Sequence, residues 1–599
     1  MKYKTVSPAN CWRNIWTALP EPLLRQQRRC NCTLPTLADT LAAVCISRTS
    51  ECLSKSGFAI VCKPVHQEEF RLSSHLQKQL QTLSQPEAKG MLRGISRGIE
   101  KESLRIEAKG TLAQTPHPAE LGSALTHSLI TTDYSEALLE FITPVNTSIE
   151  DSLELLEDIH SFVYQKIGDE ILWSASMPCI MSGDASIPVA QYGSSNVARM
   201  KTVYRSGLGH RYGRIMQAIA GIHYNFSMPQ EYWDHAWESA GCPGDRTDYI
   251  SERYLGMIRN FRRYSWLLIY LFGASPAVCS SFLGGSDRHG MKAFDKKAKS
   301  LYLPFATALR MGELGYNSDA QGDLNVCYNS LGDYVNTLSS AIKQQHPAYS
   351  HIPSGQEGNY QQLNNSLLQI ENEFYSSIRP KRVASSGETP LCALVRAGIE
   401  YIEVRCVDIN PFSSVGLDDT QMRSLDTFLL YCLLQDSPAC NDDEQLVQNA
   451  NLKAVVNMGR QPGLQLHDGS DDIPMAQWAN ELLGAMRPIA EMLDIAHASG
   501  NYIASLDSQL AKVADPELTP SARILREMHD KQLPFFRLAM AYSEKWAQYF
   551  RERALSADVQ AAFEQEAERS LLAQRDMEYS NDISFEDYLD NFFSQYEGL

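Results

Sequence analysis

The chain has 599 residues, 44% hydrophobic and 21% charged. This is ordinary globular usage and excludes global disorder. Acidic side chains outnumber basic ones 71 to 54, a net charge of −17, which excludes broad electrostatic binding to nucleic acid or an anionic membrane and leaves room only for a local basic phosphate site.

The charge is uneven along the chain. Residues 1–70 hold nine basic and five acidic side chains, and six of the fourteen cysteines lie in the first 62 residues. None forms a C-x-x-C pair, so no zinc site is expected. Residues 1–75 read as an appended segment, either disordered or produced by a translation start placed too far upstream. Residues 76–550 read as one large catalytic domain. Residues 551–599 carry twelve acidic and four basic side chains and read as a mainly helical extension with an amphipathic end around Phe585–Phe593.

Within the central region, Gly98–Ile106 is predicted to be a strand. Glu100 and Glu102 stand two apart and project from one face. A turn at Thr131-Thr-Asp133 precedes the apolar run Leu138-Leu-Glu-Phe-Ile142. Glu140 inside that run is costly unless paired or bound to a cation. Ser148 caps a predicted helix through Leu153, Leu156, Ile159, Val163 and Ile167. A second helix is predicted from Asn196 to Ala220, with Arg199, Lys201, Arg205, Arg211 and Arg214 mostly on a solvated face.

Gly221-Ile-His-Tyr-Asn-Phe-Ser227 alternates, with His223, Asn225 and Ser227 on its polar side. A third helix is predicted from about Ser251 to Phe272. The uncharged stretch Tyr264–Ser286 is apolar only over Trp266–Phe272, too short to span a membrane, and reads as a buried helix end followed by a loop. Ile399-Glu-Tyr-Ile-Glu-Val-Arg-Cys-Val407 alternates too, with Tyr401, Glu403 and Arg405 on one face. The pair Glu403 and Arg405 is either a surface ion pair or a cation ligand beside an anion ligand. From about Asp418 to Phe550 the pattern is mainly helical.

Several strands thus carry carboxylates, with one histidine. Such oxygen-rich sets select magnesium or manganese over zinc. No G-x-x-x-x-G-K-[ST] or G-x-G-x-x-G loop occurs, so ATP would be held by metal, arginine and the sheet. No G-x-S-x-G or H-E-x-x-H pattern supports a hydrolase. Arg379, Lys381 and Arg382 are candidates either for nucleotide phosphate or for surface ion pairs.

These stretches resemble the glutamate–cysteine ligases of the proteobacterial type. The resemblance is carried by Arg97-Gly-Ile-Glu-Lys-Glu-Ser-Leu-Arg105, Thr131-Thr-Asp with Ala137-Leu-Leu-Glu-Phe-Ile-Thr-Pro144, Gly221–Ser227, Gly398–Arg405 and Asp408-Ile-Asn-Pro-Phe412, and runs roughly from Leu83 to Trp546. It implies an α+β fold: an antiparallel sheet curved into a half-open barrel with helices outside, like the catalytic domain of glutamine synthetase. It implies ATP-dependent joining of the glutamate γ-carboxylate to the cysteine amine, the first step of glutathione synthesis.

By the same resemblance, Glu100, Glu102, Asp133, Glu140, His223 and Glu403 match a magnesium (or manganese) site. Arg405 matches a nucleotide-binding, catalytic arginine near the transferred phosphate. Tyr204, Leu208, Arg310, Tyr316 and Tyr375 match the amino-acid site, where Arg310 would grip a substrate carboxylate through its fork. The expected partners are glutamate, cysteine and ATP, with no nucleic acid and no membrane, in a cytoplasmic monomer. The alternatives are a related ligase with another amine acceptor and a non-catalytic nucleotide-binding relative.

Overall fold

The computed structural model describes residues 72–86, 88–178, 180–283, 290–297, 299–315, 324–385 and 387–599. Most of the appended segment, and Tyr316, therefore lie outside the described residues. Seven strands form the central sheet: β1 (Ser96–Ile106), β2 (Ile130–Thr132), β3 (Leu138–Ile142), β4 (Ile171–Leu172), β5 (Ile222–Ser227), β6 (Ile378–Lys381) and β7 (Tyr401–Val407). Their order is β2-β3-β1-β5-β7-β6, with β4 pairing the far end of β1. Every pairing in this sheet is antiparallel.

The register explains where the chemistry collects. Glu102 lies opposite Glu140, Glu100 opposite His223, and Glu403 opposite both Asn225 and Arg379. Directly opposed residues share a face, and so do residues two apart on one strand. All of these side chains therefore stand on one side of the sheet. The other side carries Ile99, Phe141, Tyr224, Phe226, Ile402 and Val404, all fully buried. A slip of one residue in any of these strands would exchange the two faces, so the buried side fixes the register of the polar one.

Helices flank the sheet on both sides. The principal elements are α1 (Ser74–Leu83), α2 (Ile149–Tyr164), α3 (Asn196–Tyr212), α4 (Arg246–Phe272), α5 (Asp419–Leu434), α6 (Ala557–Tyr579) and α7 (Phe585–Ser594). Between α5 and α6 the chain is largely helical, broken by a two-stranded ribbon at Gln465–His467 and Asp472–Pro474. A buried ion pair pins the sheet to α5: Arg97 Nη2 lies 2.6 Å from Asp426 Oδ2, and the Tyr224 hydroxyl donates to Asp426 Oδ1 at 2.8 Å.

Ser148 Oγ accepts from Asp151 N and caps α2 as its sequence requires. Two boundaries differ from the sequence expectation. α3 stops at Tyr212, short of Ala220, because Gly213 turns into the left-handed region at φ +82°. α4 starts at Arg246, ahead of Ser251, because the Asp245 carboxylate accepts from Thr247 N and Asp248 N. Trp266–Phe272 is the buried end of α4. No helix among the described residues is long and apolar enough to cross a membrane.

Candidate active site

The polar side of the sheet is the floor of a cavity of about 790 Å3, a size suited to small-molecule substrates. α3 forms the roof. Lys201, Tyr204, Arg205, Leu208 and Tyr212, spaced at helical intervals, all line the cavity. This corrects the expectation of a solvated basic face. Lys201 and Arg205 look into the site, the Arg205 Nε–H donates to the Asp133 carbonyl, and Arg211 pairs with Glu373 at 2.8 Å. Burial, followed by the neighbouring Arg205, pushes the Lys201 ammonium down to about 8.

His223 is the hub of the floor. Its Nδ1 lies 3.0 Å from Glu100 Oε2 and 3.6 Å from Glu403 Oε1, and its Nε2 lies 3.6 Å from Glu102 Oε1. Asn225 Nδ2 donates to Glu100 Oε1 at 2.9 Å, and Gly221 N donates to Glu102 Oε2 at 2.6 Å. Arg405 Nη1 reaches Glu403 Oε1 at 3.0 Å. The pair Glu403 and Arg405 is thus an ion pair within the cavity rather than on an outer sheet surface.

Burial works against every charge here, and neighbours decide which carboxyls stay ionised. For Glu403, Lys381 and Arg405 outweigh burial and hold it well below the usual carboxylate range. For Glu100, the hydrogen bond to His223 does the same to a smaller degree. Glu102 is pushed up to about 6 by burial and then by Asp133. Glu140 rises well above its usual value because burial is reinforced by Glu100 and Asp133. A floor of this kind carries more negative charge than its own cations offset.

Two groups of side chains bring ligand atoms within 4.8 Å of one another: Glu100, His223 and Glu403, and Glu102, Glu140 and His223. The donors are carboxylate oxygens and one imidazole, without sulfur, which fits a hard divalent cation. Glu403 Oε2 is buried without a hydrogen-bond partner, its nearest cation being Lys381 Nζ at 3.5 Å. Five of the six residues expected to bind metal therefore converge. Asp133 lines the same cavity but belongs to neither group.

Tyr204, Leu208, Arg310 and Tyr375 line the cavity as well. Arg310 is already committed on two of its nitrogens. Nε donates to Asp408 Oδ1 at 2.8 Å, and Nη2 donates to the carbonyls of Arg405 and Val407 at 3.2 and 2.9 Å. Asp408 in turn accepts from Ala274 N and Ser275 Oγ. Of the basic trio on β6 and just after it, Arg379 and Lys381 line the cavity, whereas Arg382 turns away to the Gly398 carbonyl. Sequence reasoning missed Gln217, Asn372 and Glu373, which stand in short turns without periodicity. It also missed Met577, Tyr588 and Phe592, which come from α6 and α7. The amphipathic pattern of Phe585–Phe593 was the available signal, but it did not say what the apolar side covers.

Sheet, roof and charge together define the class: an enzyme site for small molecules, built to concentrate negative charge around cations beside arginine. Sequence comparison narrows the class to a family. A family model described as glutamate-cysteine ligase matches residues 80–455. A glutamate–cysteine ligase of Alcanivorax borkumensis is 50% identical over 87% of this chain and 99% of its own length. One of Saccharophagus degradans is 50% identical over 85% of this chain and 96% of its own. The crystal structure of a Francisella tularensis glutamate–cysteine ligase in complex with AMP has a TM-score of 0.78 at 35% identity, covering 84% of this chain and 98% of that one. The chain belongs to the glutamate–cysteine ligase family.

Proposed function

We propose that this chain joins the γ-carboxylate of glutamate to the amine of cysteine at the expense of ATP, giving γ-glutamylcysteine, the first step of glutathione synthesis. The observation that carries the reading is the convergence of Glu100, Glu102, Glu140, His223 and Glu403 beside Arg405, with Arg310 at one end of the same cavity. The family membership and the AMP-bound relative support it.

A carboxylate is a poor electrophile, so the reaction needs a leaving group. A γ-carboxylate oxygen attacks the γ-phosphorus of ATP, and ADP leaves. The cysteine nitrogen then attacks the acyl carbon of the γ-glutamyl phosphate, the C–O bond breaks, phosphate leaves and the amine gives up a proton. Magnesium (or manganese) held by the five floor residues would supply positive charge against the phosphates. Arg405, paired with Glu403, holds a fixed positive charge beside the same place. Arg379 and Lys381 extend that charge along the edge of the floor. Tyr204, Leu208, Tyr375 and Arg310 position the amino acids, with Arg310 fixed in orientation by Asp408.

The same reading takes the sheet as the half-open barrel of the glutamine-synthetase type, with the polar side as its inner wall. It also takes a single cytoplasmic chain as the working unit. Phosphate release by purified protein tests the reading. Release that needs glutamate, cysteine, ATP and magnesium together supports it. Release with a different amine shows another acceptor, and nucleotide binding without turnover shows a non-catalytic relative.

A further inference from the structure

The cavity has two ends, and the strand register separates them. Arg310 bonds the Arg405 and Val407 carbonyls, at the end of β7 that meets the start of β5. Lys381 pairs with Tyr401, at the opposite end of β7. The carboxylate row lies between. If phosphates sit over that row and the amino acids toward Arg310, the rest of the nucleotide extends past Lys381 toward Ser385 and Gly387. This step rests on the ATP-dependent reading above.

Six apolar residues also line the cavity: Met200, Ile370, Tyr588 and Phe592, which pack in one cluster together with Tyr204, and Val197 and Met577, which pack in another. Three of these six belong to the last 23 residues of the chain, in or just beyond the acidic extension's long helix. The short helix α7 is held in place from two sides. Gln595, just after it, accepts from Thr389 N at 3.0 Å and donates to the Gly387 carbonyl at 2.9 Å. Just before it, the Ile583 carbonyl accepts from Asn196 Nδ2 at 3.0 Å, at the start of the roof helix. Tyr588 and Phe592 are therefore carried by a helix anchored at Gly387 and Thr389; Ser385 lines the same cavity, while the Glu388 carboxylate is taken by Arg396 and by Ser385 N.

We propose that α7 completes the nucleotide site, with Tyr588 and Phe592 forming the wall against which the purine base packs. Base–aromatic packing is lost on truncation to alanine, and the expected cost is roughly tenfold in nucleotide affinity. The test is calorimetric binding of MgADP to the full chain, alongside phosphate-release kinetics. Phe592→Ala and Tyr588→Ala are expected to weaken MgADP about tenfold, and to raise the Michaelis constant for ATP while those for glutamate and cysteine stay within twofold. Phe592→Trp, which keeps an aromatic face, is expected to restore most of the affinity. Should Phe592→Ala prove insoluble, Phe592→Leu preserves bulk without the aromatic face and reads the same quantity.

Unchanged MgADP affinity in folded variants of an active enzyme overturns the wall and leaves the ligase reading standing. A rise confined to the amino-acid constants overturns it as well, placing α7 at the wrong end. Wild-type protein that binds MgADP but turns nothing over refutes the ligase reading, and the variants' affinity then decides the wall alone. Wild-type protein that does not bind MgADP refutes both.

Discussion

Glu403 and Glu100 can be tested by the same neutralisation. Each contacts His223, and Glu403 also neutralises Arg405 and Lys381. Glu403→Gln and Glu100→Gln keep size and shape but remove a charged oxygen. Turnover is expected to fall about 100-fold or more through displaced phosphates, while the melting temperature changes little. Activity within a few-fold of wild type at saturating magnesium would take these residues out of the site. Arg310 requires a double measurement, because Asp408 beneath it is fully buried. Arg310→Lys retains charge but cannot span Asp408 and two carbonyls at once. The Michaelis constant for glutamate or cysteine is expected to rise before that for ATP. Arg310→Ala, which strands Asp408, is expected to cost about 3–5 kcal/mol of stability. An ATP constant that moves alone would put Arg310 at the other end of the cavity.

At the scale of elements, the roof depends on one close approach. Gly207 of α3 packs against Gln369, and a methyl there would overlap the Gln369 amide oxygen. That amide cannot step aside, since its oxygen accepts from Leu363 N and its nitrogen donates to the Tyr204 carbonyl. Gly207→Ala should therefore lift α3 off the loop at 369–375 and lower kcat/KM at least tenfold, with far-ultraviolet circular dichroism unchanged. Wild-type kinetics would show that the roof tolerates the shift. The floor was legible in part, because strands have a period of two and solvated faces seldom read His-x-Asn-x-Ser, whereas Glu-x-Glu by itself reads equally as an exposed sheet edge. The roof was not. Arg and Lys on a helix look the same whether they meet water or a cavity, so Lys201 and Arg205 were misassigned. Arg310 lies in a single turn, Leu309–Met311, where no period exists to read. Only the family resemblance reached it.

The whole molecule is closed by contacts between its ends. Ser128 N donates to Glu566 Oε1 at 2.9 Å, and Ser123 Oγ donates to Gln574 Oε1 at 2.6 Å, so α6 clasps the turn before β2. His127 lies inside this clasp. Its Nδ1 accepts from Leu129 N and Ile130 N, both at 3.0 Å, and burial followed by Arg569 lowers its pKa to about 4. Between pH 6.5 and 4 the unfolded chain binds a proton that the folded one refuses. Stability therefore falls as pH falls through that window, by about 3 kcal/mol for this group once pH 4 is reached. His127→Asn keeps an acceptor oxygen without the titration, and the melting temperature should then depend less steeply on pH in that range; an unaltered slope would refute the assignment. At the other end, Leu76, Leu80 and Leu83 of α1 are buried, and Ser73 Oγ reaches Gln435 at the end of α5. A chain beginning at Leu72 is expected to keep its melting temperature and activity. One beginning at Ala88 should lose about 1.5–3 kcal/mol per leucine. Equal melting temperatures for the two would show that α1 adds nothing to the core.

The position of Met577, Tyr588 and Phe592 also bears on how the protein is made. Strands β1 to β5 leave the ribosome before residue 228, yet β7, the strand that neighbours β5, follows only at Tyr401–Val407. The aromatic wall follows at the very end. A nascent chain thus carries its row of acids, with their mutual repulsion, uncovered through most of its synthesis. Pairings so distant in sequence close slowly and leave strand edges exposed meanwhile. Termination after β7 but before residue 577 leaves a floor without Met577, Tyr588 and Phe592, and termination before β7 leaves the floor itself without Glu403 and Arg405.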